Sequence, residues 1–185
     1  MKIGLISDTH IPQYSKEPPP QVARAFQGVD LILHAGDIFT PSCIEWLERI
    51  APVKAAETEP QVGEGANRAN QTQVIEVGGH SIGLVHSLWV PSVDDELFPG
   101  VMARKFPAGA SLPRELQDVF GKVVDIVVFG HTHEALVELH QGMLLINPGS
   151  TNMVKQSLKL GTVAVLELTA TTKSAKIIDL AGLAG

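Results

Sequence analysis

The chain has 185 residues, of which 44% are hydrophobic and 18% are charged, and its formal net charge is −6 at pH 7. This length suits one folded domain with a sizeable core, and the composition excludes a disordered chain. The negative charge argues against nucleic acid or an anionic membrane as the main partner. No apolar run approaches the roughly 18 residues of a membrane span.

Cys43 is the single cysteine, so an intrachain disulfide is excluded and a reducing compartment fits best. The short apolar stretch at the N-terminus is interrupted by Asp8, which is unlike a signal peptide. We therefore expect a cytoplasmic protein with a single domain over residues 1–185.

Short apolar runs alternate with longer mixed segments in the first half, which predicts an α/β layered domain. We predict strands at Ile3–Ile6, Leu31–Ala35 and Val53–Ala56, and helices at Gln21–Gln27 and from Pro41 onward. Thr40 is a suitable cap for the second helix, and proline suits its first position. The polar segment 57–72 is predicted to be a loop.

The second half of the chain is richer in predicted strands. We predict hairpins at 73–85 and 136–146, a helix at 112–120, and strands at 123–129, 161–168 and 175–180. Segment 89–113 is rich in proline, glycine and acidic residues and is predicted to be irregular. Two packed sheets with helices on their outer faces would accommodate the helices of the first half and the strands of the second. One doubly wound sheet is the simpler alternative.

Four predicted strands run directly into side chains that commonly bind metals. These residues are Asp8 and His10, Asp37 after Gly36, His86, and His131 and His133 after Gly130. Ligands of α/β sheets bind at the carboxyl ends of strands, so we expect these side chains to meet. Side chains two residues apart on an extended chain point to the same side, which would make each Asp-x-His or His-x-His a clamp.

Imidazole with carboxylate suits Mn, Fe, Zn, Co or Ni better than Mg or Ca. Six candidate ligands exceed one tetrahedral site, and Asp37 has two oxygens that could bridge two ions. A single His-x-His is common by chance, and a lone buried histidine is more often a hydrogen-bonded core residue. Four such motifs at four strand ends favour two divalent transition-metal ions, with manganese as the default.

The motifs resemble the calcineurin-like metallophosphoesterase superfamily and, within it, the small phosphodiesterases of the YfcE type. The matching motifs, besides His86, are Ser7-Asp8-Thr9-His10, His34-Ala35-Gly36-Asp37, Gly130-His131-Thr132-His133 and Asn147-Pro148-Gly149-Ser150. The resemblance implies an α/β fold, a four-layered α/β/β/α sandwich of two mixed sheets flanked by helices. It also implies the ligand set of each ion: Asp8, His10 and His133 on the first, His86 and His131 on the second, and Asp37 on both.

Two positions depart from the family pattern. The family has a Gly-Asn pair after the third strand, where this chain has Glu57-Thr58-Glu59. Ungapped alignment puts Glu59 at the metal-binding asparagine, so we expect Glu59 to bind the second metal; Glu57 could do so instead, or neither. Ser87 follows His86 where the family usually has glycine. The catalytic histidine of Gly-Asn-His-Glu members has no counterpart, so no general acid is assigned.

The expected activity is hydrolysis of a phosphodiester, or of a phosphomonoester, by a water activated at the dinuclear centre. The substrate would be a small phosphoester, and a carboxylate at Glu59 would favour diesters over dianionic monoesters. The alternative is a non-catalytic scaffold or binding protein, as the phosphoesterase-like subunit of retromer is. The complete set of site histidines favours the enzyme. The apolar residues between 89 and 106 could cap the site, form a contact in a homo-oligomer, or pack in the core in the ordinary way.

Overall fold

Two five-stranded sheets form the centre of the computed structural model, which describes residues 1–57, 71–155 and 157–183. In chain order the strands are β1 (Lys2–Ile6), β2 (Leu31–His34), β3 (Val53–Ala55), β4 (Gln73–Val77), β5 (His80–Leu84), β6 (Ile126–Val128), β7 (Leu136–His140), β8 (Met143–Asn147), β9 (Met153–Val154), β10 (Ser157–Leu158), β11 (Thr162–Leu168) and β12 (Lys173–Asp179). The helices are α1 (Pro20–Ala25), α2 (Pro41–Glu48), α3 (Val101–Lys105) and α4 (Leu112–Phe120), and a 3₁₀ turn covers Leu180–Leu183.

Both large sheets are mixed. The first has the order β12-β11-β1-β2-β3, in which β1, β2 and β3 are parallel and β11 is antiparallel to β1. The second has the order β4-β5-β6-β8-β7, in which β5, β6 and β8 are parallel and β4 and β7 are antiparallel edge strands. Among the described residues, strands β9 and β10 form a separate two-stranded sheet.

The inner faces of the two sheets pack against each other. Because side chains alternate along a strand, Ile3 and Leu5 of β1 point into this inter-sheet core, as Ile126 and Val128 of β6 do from the other side. Each of these four side chains is buried. The inter-sheet core therefore holds the carboxyl ends of β1 and β6 close together.

Helices cover the two outer faces. Phe26 after α1 and Leu47 of α2 pack on the outer face of the first sheet, around Ile32. Leu116 and Phe120 of α4 pack on the second sheet in the same way. The layers therefore follow the order α/β/β/α, which confirms the four-layered sandwich; the doubly wound single sheet is wrong.

Segment 89–113 differs from its prediction. It contains the short helix α3, which follows Gly100 in a left-handed conformation, and its Leu97 and Met102 are 2% and 1% exposed. These apolar side chains build the core beneath α4. The segment is thus a packed part of the fold.

The start of α2 is as predicted for Pro41, but Thr40 does not cap the helix. Its hydroxyl is 2.9 Å from the Ser42 hydroxyl, and it makes no side-chain hydrogen bond to the helix backbone. Among the described residues, no helix is both long and apolar enough to cross a membrane.

Candidate metal centre

The predicted ligands follow four parallel strands, two from each sheet. Asp8 and His10 follow β1, and Asp37 follows β2; the Asp8 N–H donates to Gly36 O at 3.0 Å, and the His10 N–H donates to Asp37 O at 2.9 Å. In the second sheet the Gly130 N–H donates to His86 O at 2.8 Å. The site thus forms where the edges of two sheets meet.

Four of these side chains converge. Asp8, His10, Asp37 and His133 each offer one ligand atom, and the four atoms lie within 4.8 Å of one another. The Nε2 atoms of His10 and His133 are 3.2 Å apart. His10 Nε2 is 3.5 Å from Asp37 Oδ2, and His133 Nε2 is 3.5 Å from Asp8 Oδ1.

This spacing fits a metal ion. Four ligands at bond lengths of about 2.0–2.2 Å in a tetrahedral arrangement stand roughly 3.3–3.6 Å apart. Two imidazole nitrogens and two carboxylate oxygens also match the donors that divalent transition metals prefer. Asp8, His10 and Asp37 are at most 7% exposed, so their charges and lone pairs are largely removed from water.

His86 approaches the same group through Asp37. Its Nδ1 lies 2.8 Å from Ala35 O, which can only accept, so Nδ1 carries a proton and donates. In the neutral ring Nε2 is then an acceptor; it has no hydrogen-bond partner among the described residues and lies 3.6 Å from Asp37 Oδ2. A metal ion, or a second proton on the His86 ring, would remove the repulsion between this nitrogen and the Asp37 carboxylate.

The ligand residues have an unusual backbone conformation. Among the described residues eight non-glycine residues have a left-handed φ, and five of them are predicted ligands: Asp8 (52°), His10 (47°), Asp37 (56°), His131 (74°) and His133 (60°). Such angles cost non-glycine residues free energy and concentrate at functional sites. The two-residue clamps therefore arise from tight left-handed turns, and the extended geometry predicted for them is wrong.

His131 stands apart from the four converging side chains. Its backbone N–H donates to both oxygens of Asp8 at 3.1 Å, and its ring lies 5.4 Å from that of His86, centroid to centroid. Its side chain is 48% exposed, and Nε2 lies 3.5 Å from Glu96 Oε1. His131 thus contacts the site on one side and solvent on the other.

The pKa values of two site residues are linked. Burial raises the pKa of the Asp8 carboxyl, but the contact with His133 and the charge of His86 more than offset burial and bring this pKa below its usual value. The same contact raises the pKa of His133, against the effect of burial. Asp8 is therefore a carboxylate near neutral pH, and a metal ion at His133 would compete with a proton.

Comparison with known proteins agrees with this geometry. The sequence model of the calcineurin-like phosphoesterase superfamily domain matches residues 1–171. The chain belongs to the calcineurin-like phosphoesterase superfamily. A protein of Methanothermobacter thermautotrophicus named "Probable metallophosphoesterase" is 32% identical over 178 residues, 96% of this chain and 92% of the relative. A second protein named "Probable metallophosphoesterase", from Methanocaldococcus jannaschii, is 29% identical over 183 residues, which cover 97% of this chain and 82% of that relative.

Solved structures share the fold of this phosphoesterase domain. Vps29 from Entamoeba histolytica, crystallised with Zn²⁺, superposes with a TM-score of 0.65 at 20% identity, over 97% of this chain and 99% of that one. At this identity the likeness supports the two-sheet fold alone.

The segment that replaces the superfamily's Gly-Asn motif, residues 57–59, is only partly described by the structure. Glu59, the predicted seventh ligand, lies outside the described residues. Glu57 is described, and it binds backbone: Oε1 accepts from the Asp37 N–H at 3.1 Å and Oε2 from the Ile38 N–H at 3.5 Å. Glu57 is also absent from the group of four converging side chains. It contacts the Asp37 loop from behind, where successive backbone N–H groups form an anion-binding turn.

Glu57→Ala should weaken metal binding without removing a ligand. The change leaves two N–H groups of the left-handed Asp37 turn without their acceptor, so we expect roughly tenfold weaker binding of Mn²⁺. Calorimetric titration of the metal-free protein measures this, with the exposed Glu48→Ala as the matched control. Glu57→Gln keeps one acceptor oxygen and should recover part of the loss. Equal Mn²⁺ affinity in Glu57→Ala and wild type would show that the Asp37 turn keeps its conformation without Glu57.

Three polar side chains brace the ligand loops and were not predicted to do so. The Ser150 hydroxyl donates to Asp8 O at 2.7 Å, and Asn152 Nδ2 donates to Thr9 O at 3.2 Å. Asn147 Nδ2 donates to Gly130 O at 2.8 Å. The Asn-Pro-Gly-Ser motif, which contains Asn147 and Ser150, was the available signal, since it matches the family pattern. These bonds fix both ligand loops to one segment, residues 147–152, which begins at the last residue of β8.

His34 supports the first ligand loop from inside. Its Nδ1 accepts from the Gly36 N–H at 3.2 Å, so Nε2 carries the proton and donates to Thr9 Oγ1 at 3.1 Å. Burial lowers the pKa of His34 to about 3. The ring is therefore neutral at physiological pH and orients Thr9, which lies between Asp8 and His10. Burial likewise raises the pKa of the neighbouring Cys43 thiol to about 11.

Proposed function

We propose that the chain is a metal-dependent phosphodiesterase. In this proposal it binds two divalent transition-metal ions and acts on a small phosphoester. The observation that carries this proposal is the convergence of Asp8, His10, Asp37 and His133 on one buried point. We propose the ligands that the resemblance implies: Asp8, His10 and His133 for the first ion, His86 and His131 for the second, and Asp37 for both. Glu59, which stands where the family has asparagine, is proposed as a seventh ligand. Manganese is the proposed metal, and the cytoplasm, which suits a single buried thiol, is the proposed location.

Each part of the site has a distinct task in this proposal. When bound, the ions would supply Lewis acidity, which activates a water and offsets negative charge on the phosphoryl group. Asp37 faces His10 on one side and His86 on the other, so it would link the two halves of the centre. His131 is the half-exposed member, and the substrate would reach the site from its side.

Elemental analysis tests the proposal most directly. Protein dialysed against Mn²⁺ should retain about two ions per chain and should hydrolyse bis-p-nitrophenyl phosphate. His10→Ala should lose mainly the first ion, whereas His140→Ala, which alters a histidine on the β7 hairpin, should retain both. If the dialysed protein contains no bound metal, the proposal is wrong. Two bound ions without hydrolysis of any phosphoester would instead favour the non-catalytic scaffold.

A further inference from the structure

A cavity of about 650 Å³ opens beside the candidate metal centre. Six residues line it: Glu96, Phe98, His131, Thr132, Glu134 and Lys155. Its volume is within the range of small-molecule sites. Of its lining residues, only His131 was a predicted metal ligand, and Thr132 belongs to the same motif.

His131 is the wall that the cavity shares with the metal centre. Its backbone N–H binds the Asp8 carboxylate at 3.1 Å, and its ring packs edge-on against His86. The His131 side chain is 48% exposed and also lines the cavity. A molecule in the cavity is therefore adjacent to the site at which a phosphoryl group would bind.

The charge of the cavity is negative. Glu96 and Glu134 contribute two carboxylates against the single ammonium of Lys155, so the fixed charge of these three side chains is −1. Glu96 is held close to the centre because Leu97 beside it is 2% exposed and anchored in the core. Its Oε1 lies 3.5 Å from His131 Nε2.

Phe98 adds an aromatic surface to the same wall. Its side chain packs against the core of the second sheet and also lines the cavity. An aromatic ring together with carboxylates suits an organic cation, which gains from both groups. Neutral alcohols fit less strongly, and anionic groups are repelled.

We propose that this cavity holds one alcohol substituent of a phosphodiester and selects substituents that carry a positive charge, such as amino alcohols or quaternary ammonium alcohols. This inference rests on the proposed function for its chemistry, since the phosphoryl group would lie at the metal centre. The carboxylates of Glu96 and Glu134 then disfavour a phosphomonoester, whose second negative oxygen takes the place of the alcohol. The substrate class is thereby a monoanionic diester with a cationic substituent.

Three substrates that all release p-nitrophenol test the selection on the Mn²⁺-loaded protein. They are p-nitrophenyl phosphocholine, ethyl p-nitrophenyl phosphate and p-nitrophenyl phosphate, whose remaining substituents are cationic, neutral and anionic. The kcat/KM values should fall in that order. Glu96→Gln and Glu134→Gln should each reduce the ratio between the cationic and anionic substrates by roughly threefold or more. Glu167→Gln, a carboxylate of similar exposure on β11, should leave the ratio unchanged.

Binding separates this inference from the proposed function. Calorimetry with glycerophosphocholine and with inorganic phosphate should show that Glu96→Gln weakens the first relative to the second. If no substrate is hydrolysed but this shift in binding appears, the proposed function fails and the cavity inference stands. If hydrolysis occurs and neither variant changes the ratio, the cavity inference is overturned. Absence of both hydrolysis and selective binding overturns both.

Discussion

Asp37→Ala is expected to abolish binding of both metal ions and to lower hydrolysis by roughly a thousandfold or more. One oxygen of Asp37, Oδ2, lies 3.5 Å from His10 Nε2 and 3.6 Å from His86 Nε2. These nitrogens belong to the two halves of the proposed centre, one from each sheet. Removal of the shared carboxylate leaves neither half with its full set of donors.

The measurement is metal content together with turnover of bis-p-nitrophenyl phosphate. Asp118→Ala removes an exposed carboxylate from α4 and serves as the control, because it changes the net charge equally. Near-normal turnover in Asp37→Ala would show that the proposed centre is wrongly assigned, even if the protein still binds metal.

Gly130→Ala is expected to disrupt the site and to destabilise the fold by about 2 kcal/mol or more. A Cβ at this position would lie 2.6 Å from Asp8 Oδ2 and 3.1 Å from Ala35 O, and it would be closer still to the Ser7 hydroxyl. Ser7 and Asp8 are fully buried, so neither can move aside into solvent. The two sheets would have to separate at the place where their ligand loops meet.

Thermal or urea unfolding measures this loss, and Mn²⁺ titration measures the damage to the site. Gly182→Ala is the matched control, since a Cβ there has nothing within 4 Å. Both variants add one methyl group, so a difference between them reports contact at residue 130. Should the two variants unfold at the same urea concentration, the close approach around Gly130 would be refuted.

Much of the fold could be predicted because its strands are short apolar runs between recognisable turns. Strand β6 was predicted at 123–129 and occupies Ile126–Val128; the observed β1 and β2 likewise fall close to their predicted runs. The hairpin of β4 and β5 is signalled by Gly78-Gly79, both of which have left-handed φ angles. Helix α3 was missed because its five residues are too few for a helical period to show. Strands β9 and β10 were missed because two residues are too few for the alternation of a strand to show.

The candidate site could be predicted in composition but not in geometry. Residue type and position after a strand pointed to six ligands, and four of these converge in the structure. The left-handed turns at Asp8 and His133 could not be predicted, because nothing in the identity of aspartate or histidine requires them. The surrounding contacts impose these turns. Ser150 illustrates this, since it contacts Asp8 from 142 positions away.

The long-range contacts also set the order in which the site can form during synthesis. Ser150 and Asn152, which brace the Asp8 loop, follow it by more than a hundred residues, so the loop leaves the ribosome well before they do. Strand β1 also waits for β11, its antiparallel neighbour, before it becomes an interior strand. Domains generally fold as units once enough chain has emerged. The Asp8 loop can therefore reach its braced conformation only after residues 147–152 have been synthesised, and a metal site that needs this loop can form no earlier.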